Sequence, residues 1–300
     1  MILLSVVRPD GPRLGVKLPS GIVVLSEVLK RIPEPDLQVV KSLDGALSSP
    51  DGLATVARYA NEIANSKNLT GLALPEKGVR LGVPFKPGSI ICVGRNYLEH
   101  AKERGVQVPD HPMLFAKLQN SVIGPNEPIR LPMDTAEIDY EAELAVVIGR
   151  RCHRVMVEEA LDYVAGYTCM NDVSARDFQR ADGQWLRAKS LDTFGPFGPC
   201  VVTRDEIPDP QTLSIRCWLN DQLVQNSNTR EMVFSVRDLI AFISRGFTLQ
   251  PGDVISTGTP PGVGGSRKPP LYLKHGDEVT VEIERIGRLS NPVMEIAPKD

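Results

Sequence analysis

Apolar and polar residues alternate over short spans through most of the chain, and helical spacing replaces that alternation in few places. Over 13–25 two apolar runs flank Pro19-Ser20-Gly21, which predicts two short strands around a turn. Leu53, Val56, Ala57, Ala60, Ile63 and Ala64 recur at helical spacing and predict a helix over 53–64. Residues 67–88 read as a polar connection, dotted with Pro and Gly, with one strand-like piece. From Ile90 onward short apolar strands alternate with turns, and three helices are predicted. The first covers 96–104, with Asn96 as N-cap, Glu99 placed as in a capping box, and Gly105 as the stop. The second covers 157–162. The third covers 236–244, with Asp238 near its start and Gly246 beyond its end. The pattern predicts an α+β fold with a dominant, largely antiparallel, curved sheet and few helices. Residues 1–75 read as a small, β-rich N-terminal domain. Neither a 20–50-residue repeat nor a low-complexity segment interrupts the pattern.

One strand carries chemistry. Residues 139–148 alternate so that Glu141 and Glu143 face one way and Leu144, Val146 and Ile148 face a core. Two neighbouring acids repel unless a cation sits between them. Asp172 ends the apolar run 163–170 and supplies a third carboxylate. Hard oxygen ligands without His or Cys suit Mg2+ or Mn2+, with Ca2+ as a further choice, and do not suit zinc. The alternative is three solvated acids on an exposed sheet face.

His100 and Glu103 stand at i and i+3 on the first post-90 helix and share a face. A carboxylate-held histidine is a general base for water near neutral pH, and a surface ion pair is the plainer alternative. Lys189, among apolar neighbours, would stabilise an enolate or oxyanion; a strand lysine reaching to solvent is the alternative. The 252–265 stretch is a strand running into a Gly/Pro loop. It lacks the Gly-Lys-Ser/Thr of a phosphate loop, and its amides and the Thr259 hydroxyl would hold a small carboxylate, unless it is a plain turn. Arg176 and Gln179, just after Asp172, would reach the same ligand. His111, His153 and His275 show no partner pattern.

Composition narrows the class. The chain is 42% hydrophobic over 300 residues, enough for a sizeable core. A net charge of −3 and 5% aromatic residues argue against a nucleic-acid binder. The five cysteines are scattered without a C-x-x-C pair, as expected of reduced thiols in a cytoplasmic protein. No apolar run approaches a membrane span, and the start lacks the basic region of a signal peptide.

Together these pieces resemble the fumarylacetoacetate hydrolase family, in its acylpyruvase and 2-hydroxyhepta-2,4-diene-1,7-dioate isomerase-like branch. The likeness rests on Cys92-Val93-Gly94-Arg95-Asn96-Tyr97-Leu98-Glu99-His100, Asp139-Tyr140-Glu141-Ala142-Glu143-Leu144 and Asn171-Asp172-Val173-Ser174-Ala175-Arg176-Asp177. Ala188-Lys189-Ser190, Asn228-Thr229 with Met232 and Phe234, and 252–264 follow in the same order. The resemblance covers about 85–295 and implies a mixed β-sandwich-like roll, a catalytic domain over that span and a homodimer. It implies a Mg2+ or Mn2+ site at Glu141, Glu143 and Asp172, a water-activating dyad of His100 and Glu103 on a lid helix, and an active-site lysine at Lys189. Arg95, Tyr97, Arg176, Gln179 and Thr259 match substrate-contacting positions. The implied activity is C–C bond hydrolysis of an acylpyruvate-type 2-oxo acid through a metal-stabilised enolate. The same enolate serves isomerisation of a 2-hydroxymuconate-type diacid, oxaloacetate decarboxylation or dehydration of a sugar acid. A non-catalytic carboxylate-binding scaffold is the reading from another class. The substrate's tail would meet the loops 106–113 and 264–272.

Overall fold

The computed structural model describes residues 1–30, 41–66, 70–103, 105 and 107–295. The last position of the helix expected over 96–104, the first three residues of the 67–88 connection and the first residue of the 106–113 loop lie outside the described residues.

The strand Ala142–Ile148 is apolar apart from Glu143, and every residue in it is buried, as a strand covered on both faces requires. It occupies the middle of a ten-stranded sheet, antiparallel to Val164–Asn171 on one side and to Val254–Ser256 on the other. Beyond Val164–Asn171 lie Gly195–Thr203 and then the N-terminal strands Ile2–Arg8, Gly11–Leu18 and Gly21–Val24. Beyond Val254–Ser256 lie Ile90–Gly94, paired parallel, and Met113–Lys117. A five-stranded sheet runs in the order Gln222–Asn228, Ser214–Leu219, Glu278–Ile283, Gly287–Glu295 and Ile129–Leu131. The fold is α+β with predominantly antiparallel pairing, as the alternation predicts.

Two cores sandwich the central sheet. Leu144, Val146 and Ile148 pack with Ile215, Cys217 and Val281 of the five-stranded sheet and with Leu239 and Ile243 of the helix Val236–Gly246. Ala145 and Val147 face the other way, toward Val56, Tyr59 and Ile63 of the helix Gly52–Asn65. The N-terminal strands thus extend the sheet that carries Glu143, and the helix Gly52–Asn65 covers one of its faces. The expected boundary between 75 and 85 falls in the irregular stretch between Leu72 and Ile90.

Local chemistry moves several expected elements. The strand expected over 139–148 breaks at Tyr140 and Glu141. There Asn171 Oδ1 accepts the Glu141 N–H and Gln225 Oε1 accepts the Ala142 N–H, in place of ladder bonds. The helix expected over 157–162 is a 3-10 segment, Val157–Tyr163. Asn96 does not cap the helix Leu98–Glu103: its side chain bonds Thr257 and Phe234 instead. A capping box does form at Ser235 and Asp238, at the head of Val236–Gly246. Arg176–Asp182 and Leu186–Lys189 are helices that were not expected, because four to seven residues are too few to display a helical period.

Candidate active site

Sheet register brings the three acids together. Ala142 stands opposite Asn171 and Glu143 opposite Met170, so Asp172, the next residue, arrives beside Glu141. The Asp172 N–H donates to the Glu141 carbonyl at 2.9 Å, fixing that approach. Ligand oxygens of Glu141, Glu143 and Asp172 lie within 4.8 Å of one another, and all three residues are buried.

Each acid is held by a fixed partner. Arg176 donates from Nη2 to Glu141 Oε1 at 2.6 Å and from Nε to Asp139 Oδ2 at 2.8 Å. Lys189 Nζ donates to Glu141 Oε2 and Asp172 Oδ2, both at 2.6 Å. Lys117 Nζ donates to Asp172 Oδ1 at 2.7 Å and to the carbonyls of Val173 and Lys189. Glu143 Oε2 accepts from Ser256 Oγ at 2.5 Å and from the Gly258 N–H at 2.9 Å. Gly258 has φ +96°, and a Cβ there would lie 2.8 Å from Asn96 Cβ, so this donor needs glycine.

The acids differ electrostatically. Burial opposes ionisation of Glu141, but Arg176 and Lys189 outweigh it and hold the carboxyl well below the usual range. Burial pushes Glu143 up to about 8, and the charges of Asp172 and Glu141 add to that. Burial works against the Lys189 ammonium, yet Asp172 and Glu141 hold it above its ordinary value. Burial beside two other carboxyls without matching positive charge raises Glu143, which fits a site for a divalent cation, and an all-oxygen donor set fits Mg2+ or Mn2+. Glu141, Glu143 and Asp172 would hold it.

Glu141 and Glu143 line a cavity of about 460 Å³ together with His100, Glu103, Arg176, Lys189 and Thr259. His100 Nδ1 and Glu103 Oε2 are 3.3 Å apart, and Glu103 also accepts the Gly262 N–H at 3.0 and 3.2 Å. The dyad is thus anchored to the 252–265 loop. Gln179 lines the cavity and accepts from Arg176 Nη1 at 3.1 Å. Thr259 donates to the Ala142 carbonyl and accepts from Gln225 Nε2, so its hydroxyl already serves the strand. Arg95 lines the cavity; Tyr97 is fully buried outside its lining, and its hydroxyl has no hydrogen-bond partner among the described residues.

Sequence reasoning missed Lys117, Asn96 as a clamp, Ser256 and Asp139. Lys117 carried a usable signal, as the sole charge in the strand Met113–Lys117. Asp139 accepts from Arg176, Gly264 and Gly265, tying the loop to the guanidinium that steadies Glu141.

The family model described as fumarylacetoacetate (FAA) hydrolase C-terminal matches residues 89–294. A mitochondrial oxaloacetate tautomerase of Xenopus laevis is 44% identical over 287 residues, covering 94% of this chain and 86% of its own. A fumarylacetoacetate hydrolase from psychrophilic Exiguobacterium antarcticum superposes with TM-score 0.81 at 36% identity, over 99% of this chain and all of that one. A 5-carboxymethyl-2-hydroxymuconate delta-isomerase from Mycobacterium smegmatis gives TM-score 0.75 at 36% identity, over the same shares. No helix among the described residues is long and apolar enough to cross a membrane. The Xenopus relative is described as mitochondrial, which differs from the cytoplasmic location expected of this chain.

Proposed function

The chain belongs to the fumarylacetoacetate hydrolase family, and we propose that it is a keto–enol tautomerase of a short 2-oxo acid such as oxaloacetate. The observation that carries this reading is one cavity lined by a carboxylate-held histidine, a lysine paired with two carboxylates and two acids of a triad that could hold a metal ion. The name of the Xenopus relative, similar over nearly the whole chain, supports the choice of reaction.

A bound Mg2+ or Mn2+ would supply Lewis acidity toward the oxygens of the 2-oxo acid. Lys189 places a fixed positive charge where negative charge develops on the C2 oxygen. Its raised pKa keeps it an ammonium, so it stabilises the enolate without giving up its proton. His100 takes the proton from C3; that electron pair becomes the C2=C3 bond while the carbonyl pair moves to oxygen, which is protonated from solvent. Glu103 steadies the imidazolium, and the Gly262 N–H keeps Glu103 in place. The reverse sequence returns the keto acid.

The same dyad would activate water against an acylpyruvate, the hydrolytic reading that the sequence places first, and its hydrogen-bonded geometry favours that as the second choice. The test is to follow freshly dissolved enol-oxaloacetate by ultraviolet absorption with Mg2+ while assaying pyruvate, with acetylpyruvate in parallel. Faster enol loss without pyruvate supports the tautomerase. Pyruvate from oxaloacetate identifies a decarboxylase, and pyruvate from acetylpyruvate identifies a hydrolase.

A further inference from the structure

Beyond the strand Ala142–Ile148 the chain turns through Arg150, Arg151 and Arg154. This turn is fastened to the end of the helix Val236–Gly246 and to the residues after it. Cys152 and Leu249 exchange both backbone hydrogen bonds at 2.9 Å, and the Arg154 N–H donates to the Ser244 carbonyl at 2.8 Å. His153 Nδ1 lies 3.3 Å from Thr248 Oγ1. Cations distant in sequence therefore meet: Arg150, Arg151 and Arg154 on one segment and Arg245 on the other, all exposed. None of the four has an ion pair or a side-chain hydrogen bond among the described residues.

Two apolar side chains stand out of the same patch. Phe247 is 47% exposed two residues beyond Arg245, and Met156 is 60% exposed two residues beyond Arg154. Cys152, Val155 and Leu249, on the same two segments, are buried. The next acids along the chain lie on the 3-10 segment Val157–Tyr163, where Asp162 is taken by Arg204 at 2.7 Å and Arg237 holds the Glu158 carbonyl at 3.0 Å. In a chain of net charge −3 the four arginines are a local excess of positive charge. Cations without fixed partners suit a surface whose anions are mobile, and a phenyl ring and a thioether among them suit one with an apolar interior. A second copy of the chain does not fit, because a two-fold contact would set the arginines against themselves.

We propose that this patch docks the protein on an anionic phospholipid surface. Arg150, Arg151, Arg154 and Arg245 lie among the headgroups, and Phe247 and Met156 enter the boundary with the acyl chains. Glu143 stands near the opposite end of the strand Ala142–Ile148, about 17 Å from Ile148, so docking does not set lipid against the acids. The inference is independent of the tautomerase reading.

Co-sedimentation of the full chain with vesicles tests it, using phosphatidylcholine alone beside equal parts phosphatidylcholine and phosphatidylglycerol. Partitioning to the anionic vesicles should exceed that to the neutral ones by about 100-fold, since each arginine contributes about fivefold, and should fall as salt rises. Arg151→Gln combined with Arg154→Gln should lower it about 25-fold. Arg151→Lys combined with Arg154→Lys should retain most of it, because the charge remains. Phe247→Ser should lower it several-fold at unchanged charge. Unchanged thermal melting reports an intact fold in each variant, and should the double glutamine variant fail to fold, Arg245→Gln makes the same comparison. Immobilised poly-aspartate stands in for an acidic protein partner. Retention on poly-aspartate together with full vesicle binding by Phe247→Ser would assign a soluble acidic partner and overturn the lipid assignment. Equal binding to both vesicles, binding to neither, or full binding by the glutamine variants would overturn it as well.

Discussion

Lys117 Nζ donates to Asp172 Oδ1 at 2.7 Å, and neither side chain has any exposure to solvent. The pair joins the end of the strand Met113–Lys117 to the third acid of the triad, and the same ammonium also holds the Val173 and Lys189 carbonyls. One buried cation thus sets both an acid and the backbone of Lys189. Lys117→Met leaves that carboxylate oxygen and two carbonyls without their donor. The expected cost is about 3 kcal/mol of stability, together with weaker Mg2+ binding. Urea unfolding with and without Mg2+ checks both, and an unchanged midpoint would refute the role.

The dyad and the triad should separate under mutation. His100→Ala should lower turnover by about 10²–10⁴-fold, the contribution of a positioned general base, while Mg2+ affinity stays as it was. Glu103→Gln keeps a partner for the Gly262 N–H but loses the charge that steadies the imidazolium, so its loss should be smaller. Steady-state rates beside Mg2+ titrations decide this, and full turnover in His100→Ala would remove it as the base.

Metal binding should release a proton. Glu143 is pushed from 4.5 up to about 8, first by burial and then by Asp172 and Glu141. Without a cation, its contribution to stability is full below about 4.5 and is lost as pH rises through about 8. A cation must displace that proton at lower pH, so apparent Mg2+ affinity should climb toward pH 8 and then level off. Calorimetry at about pH 7 in two buffers of different ionisation enthalpy should report close to one proton released per Mg2+. Buffer-independent heat would contradict it.

Asn96 clamps three segments. Its Nδ2 donates to the Thr257 and Phe234 carbonyls, and its Oδ1 accepts the Phe234 N–H. Asn96→Ala should cost about 2–4 kcal/mol through unsatisfied backbone groups and should lower turnover, because the Leu98–Glu103 helix loses its anchor. Thermal melting alongside activity tests this, and a stable variant with full turnover would contradict it.

Much of this site was legible in the sequence because its parts are local. Glu141 and Glu143 are two apart, so an extended chain keeps them together even though the regular strand begins only at Ala142, and His100 and Glu103 are three apart on a helix. Asp172 was readable as the end of an apolar run. What escaped came from distant pairing. Lys117 reaches Asp172 across 55 residues, and Asp139 meets the Gly264 amide across 125. Asn96 had two good options, capping its helix or bridging the carbonyls of Thr257 and Phe234, and sequence alone favours the local one. The commitment of Arg176 to Glu141 and of Thr259 to Ala142 becomes visible only once every neighbour is placed.

The proposed tautomerase moves a proton at C3 of a 2-oxo acid. Proton NMR of oxaloacetate in D2O with Mg2+ reads that step directly. Catalysed loss of the C3 proton signal while the four-carbon acid stays intact, abolished in His100→Ala, is the predicted result. Exchange no faster than in buffer, or proton loss matched one-for-one by pyruvate, would contradict the account.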